Sequence, residues 1–164
     1  PAEYIPPDLS APGAGCYPCG YYTKQQCQRT VPFLFPQPQE GRGRAVAAVG
    51  QTLDFEPAEA EAVHLAVAAA TERQQAEFVL VYADDSQEVQ TIALPSWTQA
   101  PEQGEQAVFI APYVHRSPAD EDTTVYVHHR VLKVAREKKL KALRLPDNPA
   151  VRIFAVTVER RGNP

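Results

Sequence analysis

The sequence has no methionine, one tryptophan and only three cysteines among its 164 residues. It also lacks an apolar run long enough to cross a membrane as a helix, and a cationic leader ahead of an apolar stretch. No transmembrane helix or signal peptide is therefore expected within these residues. The opening Pro-Ala-Glu suggests an excised or processed part of a longer polypeptide, so missing targeting signals leave the compartment open. Motifs for nucleophilic, metalloprotease and phosphate chemistry are missing as well: there is no GxSxG, no HExxH and no glycine-rich phosphate loop. Paired carboxylates would suffice for a glycosidase, but the 20 acidic residues are scattered and none stands out as a pair. A net charge of -4 argues against nucleic acid as a partner, since such binding rests on neutralising phosphates.

What is present is ordinary globular material, 44% hydrophobic and 22% charged, in a length that suits one domain with its own core. The 16 prolines are about twice the average usage of ~5%. Because proline removes a backbone donor, that excess favours turns and strand edges over long helices. Prolines and glycines crowd the first 45 residues (Pro6-Pro7, Pro12-Gly13, Pro36-Gln37-Pro38), with one apolar patch at 31–35. Residues 1–29 read as an extension and 30–164 as the folded module.

From Ala45 onward, strand-like runs recur at 46–53, 63–70, 78–83, 89–94, 108–114, 125–134, 140–145 and 151–158. The clearest pair lies in 77–97: two runs rich in Val, Ile, Thr, Phe and Tyr flank the turn Asp84-Asp85-Ser86, and Trp97 closes the hairpin. Two segments compete with this pattern. Residues 58–76 are rich in good helix formers behind Pro57, and 135–143 resemble a short basic helix.

Several blocks together carry a family resemblance. Val31-Pro32-Phe33-Leu34-Phe35-Pro36 and Ala48-Val49-Gly50-Gln51-Thr52-Leu53 form the opening. Val81-Tyr82-Ala83-Asp84 and Trp97 frame the hairpin. Leu143 to Pro149 and Ile153-Phe154-Ala155-Val156-Thr157 form the end. In this order the chain resembles the galactose-binding-like β-sandwich accessory modules of bacterial glycoside hydrolases, of the type attached to fucosidases and α-mannosidases, over about residues 30–158. The resemblance implies an all-β, antiparallel sandwich (jelly-roll type) of about eight strands, with strands rather than helix at 63–70 and 139–145. It further implies a noncatalytic module that binds carbohydrate or positions the catalytic domain of the same polypeptide. The alternative is a structural sandwich that docks a neighbouring domain without binding sugar.

Candidate carbohydrate contacts are residues whose flat faces stack on pyranose rings and whose polar neighbours take the hydroxyls: Tyr21, Tyr22, Trp97, Tyr113, His115 and Arg116. Trp97 also suits core or edge packing. Cys16-x2-Cys19-x7-Cys27 admits three readings: a disulfide joining Cys27 to Cys16 or Cys19 in a secreted protein, unpaired thiols, or part of a zinc site. Asp120-Glu121-Asp122 either neutralises part of the basic stretch at 130–144 or offers oxygens to a structural calcium; otherwise no cofactor is expected. His128 and His129 are neighbours in an expected strand and must point to opposite faces, so they do not share a metal. The basic residues between Arg130 and Arg144 offer a contact for nucleic acid or an anionic polysaccharide, but read first as a solvated turn.

Overall fold

The computed structural model describes residues 31, 33–34, 45–111, 114–115 and 120–162. Among them every expected run contains strand and there is no helix. The strands are β1 (Val46–Val49), β2 (Thr52–Ala69), β3 (Gln74–Tyr82), β4 (Gln87–Leu94), β5 (Ala107–Ala111), β6 (Val114–His115), β7 (Asp120–Glu121), β8 (Val125–Lys133), β9 (Lys139–Arg144) and β10 (Asp147–Arg160).

Strand β2 organises the molecule. Its first half pairs with β9 and its second half with β10 and β8, all antiparallel. One layer therefore runs β1-β10-β2-β8-β5 and the other β2-β9-β3-β4, with β2 passing from one to the other. The helix-forming stretch 58–76 is consequently strand up to Ala69, a turn, and then the start of β3. Val63, Leu65 and Val67 show why: all three are fully buried between the layers. Each buried side chain contributes about 1.5–3 kcal/mol, against a helix preference of alanine of at most ~0.7 kcal/mol per residue. Burial wins. Pro57 is tolerated because the β2–β9 register breaks between Asp54 and Ala58, where no ladder donor is required of it. The basic stretch 135–143 likewise splits into a turn and β9.

The β3–β4 hairpin turns where the sequence indicates. Asp85 donates its backbone N–H to the Tyr82 carbonyl (3.0 Å), and the Asp84 carboxylate accepts from the Ser86 amide (3.1 Å). Asp85 sits at φ 61°, a left-handed conformation that aspartate tolerates and branched residues do not. At Gly50, φ is 76° and the chain bends out of β1 into β2.

Two clusters fill the fold. The first lies between the layers and includes Leu65, Phe78, Leu80, Tyr82, Leu94, Leu132, Leu140 and Leu143. The second covers the outer face of the β10-β2-β8-β5 layer and joins Phe33 to Ala66, Phe109, Val125, Val127 and Ala155, with Val31, Trp97 and Phe154 packed against it.

Candidate functional site

Exposed strand edges invite unwanted pairing, and here two glutamines occupy them. The Gln51 amide accepts from Val49 N–H (2.6 Å) and donates to the Ala47 carbonyl (2.7 Å), as a neighbouring peptide would on β1. Beyond the end of β5, the Gln90 amide does the same to β8, donating to the Lys133 carbonyl (2.6 Å) and accepting its N–H (3.1 Å). Arg130 adds a bond to the Ala93 carbonyl (3.2 Å) and an ion pair to Glu105 (2.8 Å). Burial raises the Glu105 carboxyl, but the Glu102 amide and the Arg130 guanidinium more than offset that and hold it below its ordinary value.

The polar feature that stands apart lies on the outer face of the β10-β2-β8 layer. Glu159 on β10, His64 on β2 and His129 on β8 form a chain: Glu159 Oε2 lies 3.1 Å from His64 Nε2, and His64 Nδ1 lies 3.0 Å from His129 Nε2. The two imidazoles are nearly parallel, 15° apart, with centroids 5.2 Å apart. Centroids that far apart and nitrogens that close require both nitrogens to lie almost on the line between the rings. The rings therefore meet edge to edge in nearly one plane, as an N–H···N hydrogen bond demands, and not face on. Ring nitrogens only 3.0 Å apart along that line leave no room for a metal between them, and no three-ligand cluster occurs among the described residues. His64 is buried, His129 is half-buried, and the edge of the Phe33 ring meets His129 at 5.8 Å and 82°. Burial, and then the neighbouring His64 and Arg130, hold the His129 pKa down at about 4.

His128 faces the other way, as strand alternation requires. It is fully buried, lies 3.3 Å through Nε2 from the Ser96 carbonyl, and its Nδ1 has no hydrogen-bond partner among the described residues. Burial pushes its pKa below the ordinary value. The basic stretch is dispersed: Lys138 and Lys141 pair with Asp84 and Asp85 at the hairpin tip (3.4 and 2.8 Å), and Arg144 reaches Gln87 (3.3 Å). Lys138 Nζ also sits 5.0 Å above the Tyr82 ring.

Of the carbohydrate candidates, Trp97 is half-buried against the second cluster. Its backbone is fixed on both sides, donating to the Ala69 carbonyl (2.9 Å) and accepting from the Tyr126 amide (2.6 Å). Tyr21, Tyr22, Tyr113 and Arg116, with Cys16, Cys19 and Cys27, lie outside the described residues, as do the side chains of His115, Asp120 and Glu121. The sequence reading missed the pairing of His64 with His129. Their separation of 65 positions gives no local signal, and only the β2–β8 register, with Ala66 opposite His129, brings them together.

These layers, strand pairings and clusters define an antiparallel β-sandwich domain. The AziU2-like beta-sandwich domain model matches residues 10–162, and the chain belongs to that family. The match carries the sandwich expected from the sequence; it does not carry the galactose-binding-like or glycoside-hydrolase assignment. No curated protein matches the chain.

Proposed function

We propose that the chain is a noncatalytic accessory module that works by docking a neighbouring protein domain, such as the catalytic domain of its own polypeptide. One observation supports this reading above the others. No described aromatic side chain is exposed, whereas the large exposed apolar side chains are all aliphatic: Leu34, Val46, Val49, Val89 and Val131. Pyranose faces call for flat exposed rings, and aliphatic surface suits a protein partner better. Val89, 58% exposed, stands opposite Val79 on the outer face of the β9-β3-β4 layer, beside Val81 and Ala142. To reach Gln87 on β4, Arg144 on β9 must cross β3 over this valine row. Its stem shields Val79 and leaves Val89 in the open.

Carbohydrate binding is the second reading. β5 ends at Ala111 opposite Val125, next to the Tyr126 amide that Trp97 accepts, and the chain resumes as β6 at Val114–His115. Trp97 thereby sits at the end of the sandwich where β5 stops, while Tyr113 and Arg116 lie outside the described residues. Co-migration with the accompanying catalytic domain on size-exclusion chromatography tests the docking role. Val89→Glu should weaken it at least tenfold with the melting temperature kept. Unchanged co-migration, together with retention of the isolated module on a glycan array, would replace docking with sugar binding.

A further inference from the structure

His128 carries the one buried polar side-chain atom without a hydrogen-bond partner among the described residues. Strand alternation turns it toward the space between the layers, opposite Val67 on β2 and Ala107 on β5. Its Nε2 lies 3.3 Å from the Ser96 carbonyl, which can only accept, so the neutral ring carries its proton there. Moving that proton to Nδ1 would set the Nε2 lone pair against those of the carbonyl. The tautomer is therefore fixed, and Nδ1 is left as a bare lone pair in a residue with no exposed surface.

A further proton has one place to go. On Nδ1 it would bury a positive charge and an N–H with no acceptor among the described residues, and each is costly. On β8, Arg130 adds a second positive charge, and the Tyr126 ring, 6.3 Å away, brings none. On β2 and β5 the facing residues are Val67 and Ala107, which do not titrate. From the segment 95–106, Glu105 is the carboxylate that acts on the ring, but it is already paired with Arg130 at 2.8 Å and offsets that charge only in part. The closed structure therefore refuses the proton, and accepting it requires a path for water to Nδ1.

The elements around the ring are not equally held. β2 is zipped to β8 by successive pairs from Ala62–Lys133 to Val67–His128, and β5 to β8 by its own ladder. Segment 95–106, which joins β4 to β5, rests on β2 and β8 through separate bonds. Trp97 N–H donates to the Ala69 carbonyl (2.9 Å), the Trp97 carbonyl accepts from Tyr126 (2.6 Å), and Ser96 meets His128. We propose that His128 is an acid-sensitive pin for this segment: its neutral ring seats residues 95–106 against the sandwich, and protonation of Nδ1 lifts them away while the strand ladders remain. The opened state takes the proton more readily than the closed one, so the seating is complete above the ordinary 6.5 and weakens as pH falls below it. Burial, with Arg130 beside the ring, holds the His128 pKa below that value in the closed form.

The lone tryptophan, Trp97, lies within the segment and reports on it. Its fluorescence and the far-ultraviolet circular dichroism of the whole chain can be followed together from about pH 7.5 to about pH 3.5. The expected result is a reversible red shift of Trp97 emission while the β-sheet dichroism persists. His128→Gln keeps an amide donor for the Ser96 carbonyl but cannot titrate, so it should remove the shift; His128→Leu serves as the second variant if the first does not fold. His129→Gln, on the opposite face of β8, should leave the shift in place. Emission that stays constant while the sheet persists would overturn the proposal. So would emission and dichroism lost in one transition, a shift that survives in a folded His128 variant, or one that disappears in His129→Gln.

Discussion

The two hydrophobic clusters are built on different plans. Between the layers, Leu65, Phe78, Leu80, Leu132, Leu140 and Leu143 come from strands that pair with one another, so hydrogen bonding and burial reinforce the same contacts. On the outer face, the floor is made of small residues such as Ala66 and Ala155, and Phe33 covers it from outside the named strands. Polarity differs too: the outer cluster borders the His64–His129 pair, and the inner one ends at the Tyr82 hydroxyl, which donates to Glu88 (2.6 Å) at the β4 rim. The inner cluster defines the fold, and the outer one is an attachment completed by Phe33 from outside the named strands.

The largest expected effect tests that contrast directly. Phe78→Ala should cost about 3–5 kcal/mol in denaturant unfolding, as a cavity among paired strands cannot collapse. Phe33→Ala should cost only about half as much, and should shift Trp97 emission at neutral pH with sheet dichroism retained. Equal losses for the two would break the distinction.

Alkali should act on the inner cluster alone. Burial, and then the hydrogen bond to Glu88, push the Tyr82 pKa up to about 12 from its usual 10. A raised pKa means the folded state keeps its proton where the unfolded state loses it. Stability is thus fully present below pH 10 and falls between 10 and 12, by roughly 2–3 kcal/mol. Tyr82→Phe should flatten that slope; an unchanged slope in the variant would place its origin elsewhere.

Asp85→Val should cost about 1 kcal/mol, because φ 61° is strained for a branched side chain, and Asp85→Gly should be tolerated. An unmoved melting midpoint in the valine variant would remove the turn from the account. The smallest effect belongs to Lys141→Gln, where an exposed ion pair with Asp85 is lost and no change in melting should be seen.

Local patterning made most of the fold legible. Alternation and β-branched residues marked the strands, and Asp84-Asp85-Ser86 marked the hairpin tip. β2 was ambiguous on local grounds: its alanines favour helix, and its strand identity comes from burial of Val63, Leu65 and Val67 between two layers. The break at Gly50 was less visible, so one expected run, 46–53, became β1 and the start of β2. The candidate site was much less legible. Glu159, His64 and His129 lie on three strands, and only the pairing register brings them into one chain. The amide roles of Gln51 and Gln90 depend in the same way on which strand edge is left open.

The hydrogen bond between His64 and His129, at the border of the outer cluster, can be observed directly by nitrogen-detected nuclear magnetic resonance of the imidazoles across an acid titration. At neutral pH His129 should be neutral, with one proton shared between its Nε2 and His64 Nδ1, and it should resist a second proton until about pH 4. A His129 that titrates near its ordinary 6.5, with no proton shared between the rings, would contradict it.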